Sequence, residues 1–250
     1  MLRKAFKSIL CLQIYLSREL DRLLPAKFRQ DGMRDFVDSV LPKYLRRNMK
    51  IYDIGGGRVP AIDTDRKRAL DAYVVGIDVD QNELDQAPPG SYDEWVCVDI
   101  TRFEGKEEAD LVICKAVLEH VRNVDDGFRA ICSSLKVGGK AAVFAPSRNA
   151  VYARLNLLLP ETWKNCALQR LQCQQGFPAH YDRCTPRDFR YLASRHGMEV
   201  VEEKVYFMSN YFQYFFPLYF LWRLWTLIFY WSSKNQAAES MSMVFEKRSC

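Results

Sequence analysis

The chain has 250 residues, 48% of them hydrophobic, which allows one large domain with additions and a substantial core. Lys and Arg number 36 against 31 Asp and Glu; the net charge of +5, much of it near the N-terminus, excludes a general nucleic-acid surface. Eight cysteines without a C-x-x-C pair, several inside apolar runs, read as small hydrophobes of a reduced cytoplasmic chain rather than as a disulfide framework or zinc site.

Residues 2–24 carry apolar side chains at helical spacing (Phe6, Ile9, Leu10, Ile14, Leu20) with Arg3, Lys4, Lys7, Arg18 and Arg22 among them. This predicts an amphipathic helix in a 1–33 extension, either packed on the domain or lying on an anionic membrane surface. Charge returns at Arg18 and Glu19 with no small-residue cleavage site, so no secretory signal is expected.

A helix over Arg34–Arg46 opens the main domain, 34–250. Strand signals follow at Lys50–Ile54, Tyr73–Asp78, Trp95–Val98, Ala109–Cys114 and Lys140–Ala145. Between them lie helices at Ala61–Ala72 and Asp125–Leu135, the second with Asn123 and Asp125 as cap candidates and Gly138-Gly139 as its stop. Residues 151–177 are irregular and read as a substrate-side insert over the sheet edge. Thr185-Pro186 opens a helix ending at Gly197, and strands follow at Met198–Phe207 and Met241–Lys247. Such alternation predicts a mostly parallel sheet covered on both faces.

Two runs carry the chemistry. Ile51–Pro60 reads IYDIGGGRVP, and Val74–Asp80 reads VVGIDVD, placing Asp78 23 residues after Gly55. Glycines let the backbone turn sharply and approach a ligand, while a carboxylate at the next strand end accepts from both ribose hydroxyls. A dehydrogenase would continue as G-x-G-x-x-G or A, but Pro60 stands where the last small residue belongs. The Tyr230/Lys234 pair has Y-x-x-x-K spacing but lies far from the strand that would use it.

The ordered set YDIGGG, VVGID, CVDI, ADLVICKAVLEHV and LKVGGKAAVFAPS resembles the class I S-adenosylmethionine-dependent methyltransferases over about Arg34–Lys247. The resemblance implies a Rossmann-like three-layer αβα sandwich, with a seven-stranded sheet whose last strand is antiparallel. It places Asp53, Gly55 and Gly57 in the turn around the methionine and ribose portion of S-adenosyl-L-methionine. Asp78 then falls on the ribose hydroxyls, Asp99 beside the adenine amino group and Ile100 against the adenine face. Arg58 is expected on the methionine carboxylate, from its charge. Asp53 has a second reading as a cap of the glycine turn. The third glycine of the family loop is replaced by Val59, and Pro60 after it is expected to fix the helix start.

An oxygen acceptor of high pKa needs a base. His120 and His180 are the candidates, His120 also as a group closing the cofactor pocket, and Tyr181 and Asp182 stand beside His180. His196 reads as a helix-end cap. Ubiquinone-pathway O-methyltransferases carry E-x-x-E-H where this chain has Ala116 to His120; Ala116 replaces the first acidic ligand, so no metal is expected.

Residues 211–231 read YFQYFFPLYFLWRLWTLIFYW, with Arg223 as their only charge. They lie in a 208–234 insert between two strands expected to be antiparallel neighbours. Both ends then lie on one side, and crossing and returning needs about twice the ~20 residues of one pass. An interfacial or re-entrant helix interrupted at Pro217 is one reading. A helical subdomain or homodimer face packed against the N-terminal helix is the other. The expected function is O-methylation of a small or lipid-linked acceptor, a glycan precursor or quinone-like lipid, at the membrane surface. The alternative is a methyltransferase-like binding or scaffold module without turnover.

Overall fold

A computed structural model describes residues 2–159, 177–209 and 211–249. Its strands are β1 (Lys50–Ile54), β2 (Tyr73–Asp78), β3 (Glu94–Cys97), β4 (Ala109–Lys115), β5 (Leu135–Pro146), β6 (Met198–Tyr206) and β7 (Ser240–Lys247). They form one sheet in the order β3-β2-β1-β4-β5-β7-β6, in which β7 alone runs antiparallel to its neighbours. Successive side chains of a strand face opposite ways, and both faces here are covered, so the central strands are largely apolar, with Asp53 of β1 a buried exception beneath the glycine turn. Tyr52, Ile54, Val112 and Cys114 enter one core with Phe128 and Phe189, whereas Ile51, Leu111 and Ile113 enter the other with Phe36 and Leu41. The expected three-layer sandwich is what the chain forms.

The helices among the described residues are α1 (Leu2–Arg22), α2 (Gly32–Asp35), α3 (Thr64–Leu70), α4 (Gln81–Asp85), α5 (Val124–Ser134), α6 (Val151–Leu158), α7 (Pro186–Arg195) and α8 (Phe216–Ser233). Several differ from the sequence expectation. The helix expected over Arg34–Arg46 breaks into α2, a π turn at Phe36–Val40 and a 3-10 turn at Leu41–Lys43. Pro42 lacks the N–H that an α-helix needs there. Pro60 does not start α3; that helix begins at Thr64, with Asp63 accepting from the Arg66 N–H at 2.7 Å. Gly138-Gly139 does not stop α5. It lies inside β5, where pairing with β4 slips between Ala109 and Leu111, so the glycines shape a bulge. Neither cap candidate serves the α5 N-terminus with its side chain: the Val124 N–H donates to Asp182 at 3.2 Å. Thr185 does cap α7, accepting from the Asp188 N–H, with Pro186 in the first turn. Within 151–177, the chain is helical as α6, and residues 160–176 lie outside those described.

Pro217 does not interrupt the apolar insert. It occupies the first turn of α8, where a missing N–H costs nothing. Because Tyr206 pairs with Ser240, α8 leaves and returns on one side of the sheet. No described helix is long and apolar enough to cross a membrane. Instead α8 packs on α1 through its single charge. Arg223 is buried, donates to Asp21 from Nε (2.8 Å), and gives Nη1 to the Phe207 carbonyl (2.7 Å) and Nη2 to the Phe28 carbonyl. Ser17 donates to the Gln213 carbonyl, and the Phe216 N–H donates to Gln13. The packed half of α1 is thereby accounted for. Its other side leaves Ile9, Leu12 and Tyr15 exposed beside Lys7 and Arg18.

Candidate functional site

The strand order reverses between β1 and β4, and the carboxyl ends of the strands open a crevice there. Gly55 and Gly57 adopt φ of +69° and +46°, a left-handed conformation that side chains disfavour. A Cβ on Gly55 would lie 2.2 Å from Val117 Cγ2, so only glycine lets β1 turn this close to the chain after β4. Asp53 is buried beneath the loop. Its Oδ2 accepts from the Ala61 N–H at 2.8 Å, and its Oδ1 has no hydrogen-bond partner. Tyr92 donates to the Gly57 carbonyl at 3.0 Å, and its ring covers Gly76, where a Cβ would come within 2.9 Å of it.

Gly55, Asp78, Asp99, Ile100, His120 and His180 line one cleft of about 420 Å³, together with Val79, Thr101, Val117, Asp126 and Phe177. Asp78 ends β2 and accepts from the Asp80 N–H through Oδ1 at 3.0 Å. Asp99 caps the turn after β3, its Oδ1 accepting from the Thr101 N–H and hydroxyl at 2.9 Å each. His120 ends the 3-10 turn Leu118–His120, with Nδ1 3.0 Å from the Pro178 carbonyl. His180 also lines the cleft, on the segment beside it, its main-chain N–H donating to the Glu119 carbonyl at 2.7 Å.

Asp53, Gly57 and Arg58 do not line the cleft. Asp53 and Gly57 shape the loop from below, and Arg58 pairs with Glu83 at 3.0 Å, so its charge is already matched. Tyr181 is buried, and Asp182 is spent on the α5 N-terminus. His196 bonds Asp125 through Nε2 at 2.8 Å, at the far end of α7. Sequence reasoning passed over Tyr92 and Glu119. A glycine inside the apolar run of β2 is the signal that a bulky group approaches there, and Tyr92 is that group. Glu119 gave no signal, because nothing in LEHV says which side chain turns inward.

Burial raises the pKa of Asp53 to about 6, against the pull of the Ala61 N–H and Lys115. It raises Glu119 to about 8, and Glu239, which accepts from Trp222, to about 7. A carboxyl with a higher pKa folded than unfolded binds its proton more tightly in the native state. Stability is then full below the unfolded value and falls as pH climbs to the folded one. The window here runs from about pH 4 to pH 8. Carboxylates held low, such as Glu108 by Lys50 and Tyr52, act the other way but only at more acidic pH. The melting temperature of the ligand-free protein is therefore expected to fall by roughly 5–10 °C from pH 5 to pH 8. A flat or rising calorimetric profile would contradict these burials.

The family model described as a methyltransferase domain matches residues 26–203. A search of curated proteins found no match. Among solved structures, the chain is similar to a SAM-dependent methyltransferase from Methanosarcina mazei, at 14% identity and a TM-score of 0.56, covering 84% of this chain and 97% of that one. It is similar to a geranyl diphosphate C-methyltransferase from Streptomyces coelicolor, at 11% identity and 0.52, covering 83% and 77%. It is also similar to phosphoethanolamine N-methyltransferase 2 from Haemonchus contortus, at 17% identity and 0.52, covering 85% and 52%. At these identities the neighbours share the fold and do not fix the acceptor. The match over residues 26–203, on a seven-stranded sheet with a glycine loop at its switch point, places this chain in the methyltransferase-domain family, among the class I S-adenosylmethionine-dependent enzymes.

Proposed function

We propose that the cleft after β1, β2 and β3 holds S-adenosylmethionine, and that the chain methylates an oxygen of a lipid-linked acceptor at the cytoplasmic membrane face. The observation that carries the cofactor half is the cradle at Gly55 beside carboxyls at two consecutive strand ends, Asp78 and Asp99. The carboxyls of Asp78 and Asp99 in the lining suit a cation. When bound, the cofactor supplies a methyl on a sulfonium that leaves by in-line displacement. The chain aligns the acceptor, excludes water and takes a proton. Asp78 would accept from the ribose hydroxyls, Asp99 and Ile100 would hold the adenine, and His120 and His180 stand where the acceptor enters.

The lipid half rests on an apolar surface formed by α6 and α8. Leu218, Leu221, Trp225 and Ile228 of α8 and Leu155 of α6 are exposed, and α6 and α8 bound a groove of about 300 Å³ that is apolar except for Arg154. Monomeric soluble proteins rarely leave contiguous apolar patches of more than a few hundred Å². Lys7, Arg18, Lys27 and Arg29 are exposed on and just after α1, a charge complement for anionic headgroups. The full chain is expected to float with anionic phospholipid vesicles and to pass labelled methyl into the lipid extract of membranes. L221E/W225E should stay in the soluble fraction while keeping donor affinity. Label found only in water-soluble product, with no vesicle binding, would remove the membrane reading. A solution dimer dissolved by the same variant would assign the face to a second copy instead.

A further inference from the structure

Glu119 stands immediately behind His120. Its side chain is 5% exposed, its Oε2 has no hydrogen-bond partner, and its Oε1 lies 3.8 Å from His120 Nε2. The imidazole is oriented by the Pro178 carbonyl, 3.0 Å from Nδ1. A carbonyl only accepts, so Nδ1 carries the proton and Nε2 keeps its lone pair. The Glu119 main chain is tied to the substrate-side segment, its carbonyl accepting from the N–H groups of His180 and Tyr181 at 2.7 and 2.9 Å. A cleft-lining imidazole thus has its basic nitrogen beside a buried carboxyl of which one oxygen, Oε2, has no hydrogen-bond partner.

We propose that Glu119 is the positioning residue that makes His120 a base: its carboxylate balances the imidazolium formed when Nε2 takes the acceptor's hydroxyl proton. This rests on the methyl-transfer reading above. As the acceptor oxygen bonds the methyl carbon, the carbon–sulfur bond breaks and its electron pair stays on sulfur. The hydroxyl proton moves to Nε2 and leaves later to water. The groups facing Glu119 are Cys114 from β4, Tyr152 from α6, Tyr181 and Cys184 from the segment before α7, and Tyr211 from the loop before α8. Burial pushes all five upward, so they stay neutral, while Glu119, raised to about 8, changes charge near neutral pH. The competent state is ionised Glu119 with neutral His120, present above that value and lost below it.

The chain has three histidines, His120, His180 and His196, so nitrogen-15 spectra of histidine-labelled protein can follow each ring, with H120N assigning one. His120 is expected as the Nδ1–H tautomer, its Nε2 shift moving in a step near pH 8 that E119Q abolishes. In methyl transfer, kcat should rise from about pH 6 to pH 9 in the wild type. In E119Q the rise centred near pH 8 should be absent and kcat at least about tenfold lower at pH 9, with the donor's KM unchanged. An Nε2–H tautomer in the wild type, which needs no variant to fold, would overturn the proposal. So would a pH 8 step that survives in E119Q. Methyl transfer without the coupled titration would sink the pair alone, whereas a coupled titration in a chain that transfers no methyl would sink the methyl-transfer reading.

Discussion

Arg223→Met is expected to lower the stability of the fold by about 3–5 kcal/mol, a loss of roughly 10 °C in melting temperature. The guanidinium is almost wholly buried and gives hydrogen bonds to Asp21 and to the carbonyls of Phe207 and Phe28. Tyr219 donates to the same Asp21, through Oδ2. Methionine fills much of the volume but leaves the Asp21 carboxylate, still bonded to Tyr219, without its cation and two carbonyls without their donor. Removing one partner of a buried pair costs more than the pair contributes. The double variant D21L/R223M should therefore recover part of the loss, though the two carbonyls stay unpaired. Because the clamp joins α1, the Phe28 turn, the end of β6 and α8, protease should release α1 and α8 first, with donor affinity in the surviving core within about twofold of wild type. An unchanged melting profile would mean that α8 is held by its apolar contacts alone.

Arg223 also shows where reading by pattern fails. In the sequence it is the lone charge of an aromatic stretch, and periodicity could not tell a lipid-facing snorkelling arginine from a buried one. The answer depends on Asp21, two hundred residues earlier, and that pairing is tertiary. What was legible was local: the apolar runs of β1, β2 and β4, buried on both faces, and the glycine turn, whose left-handed φ values leave few other residue choices. Asp78 was legible as a strand-end carboxylate, since a parallel sheet delivers successive strand ends to one edge, whereas Asp99 and Ile100 came from the family resemblance alone; all three line the cleft. The glycines at 138 and 139 were misleading because a helix stop and a strand bulge both call for glycine. Arg58 was chosen on charge alone, which points to any carboxylate, and here it pairs with Glu83. Glu119 was invisible for a deeper reason. A buried acid and an exposed acid are the same letter, and only the packing of Tyr152, Tyr181 and Tyr211 around it decides which it is.

Asp78→Ala is expected to weaken S-adenosylmethionine binding about 100-fold, and Asp78→Asn about tenfold. The aspartate stands at the end of β2 with Oδ1 accepting from the Asp80 N–H, and its carboxylate lines the cleft where the ribose hydroxyls would lie. Hydrogen bonds to a charged group are worth roughly 1.5–3 kcal/mol, and alanine forfeits them. Asparagine keeps one accepting oxygen but loses the charge. Stability should move the other way. Burial, reinforced by Glu83 and Asp80, raises the Asp78 pKa, so the ionised form costs the empty protein something at pH 8 that Asp78→Asn removes. The ligand-free Asn variant is then expected to melt no lower than wild type while binding the donor more weakly, and calorimetric titration beside a thermal scan measures both. Full donor affinity in Asp78→Ala would detach the ribose from β2 and with it the assignment of the whole cleft. Lost affinity together with a lowered melting point would instead make Asp78 a structural residue of the loop. Only loss of affinity without loss of stability fits a carboxylate kept at the strand end for a ligand.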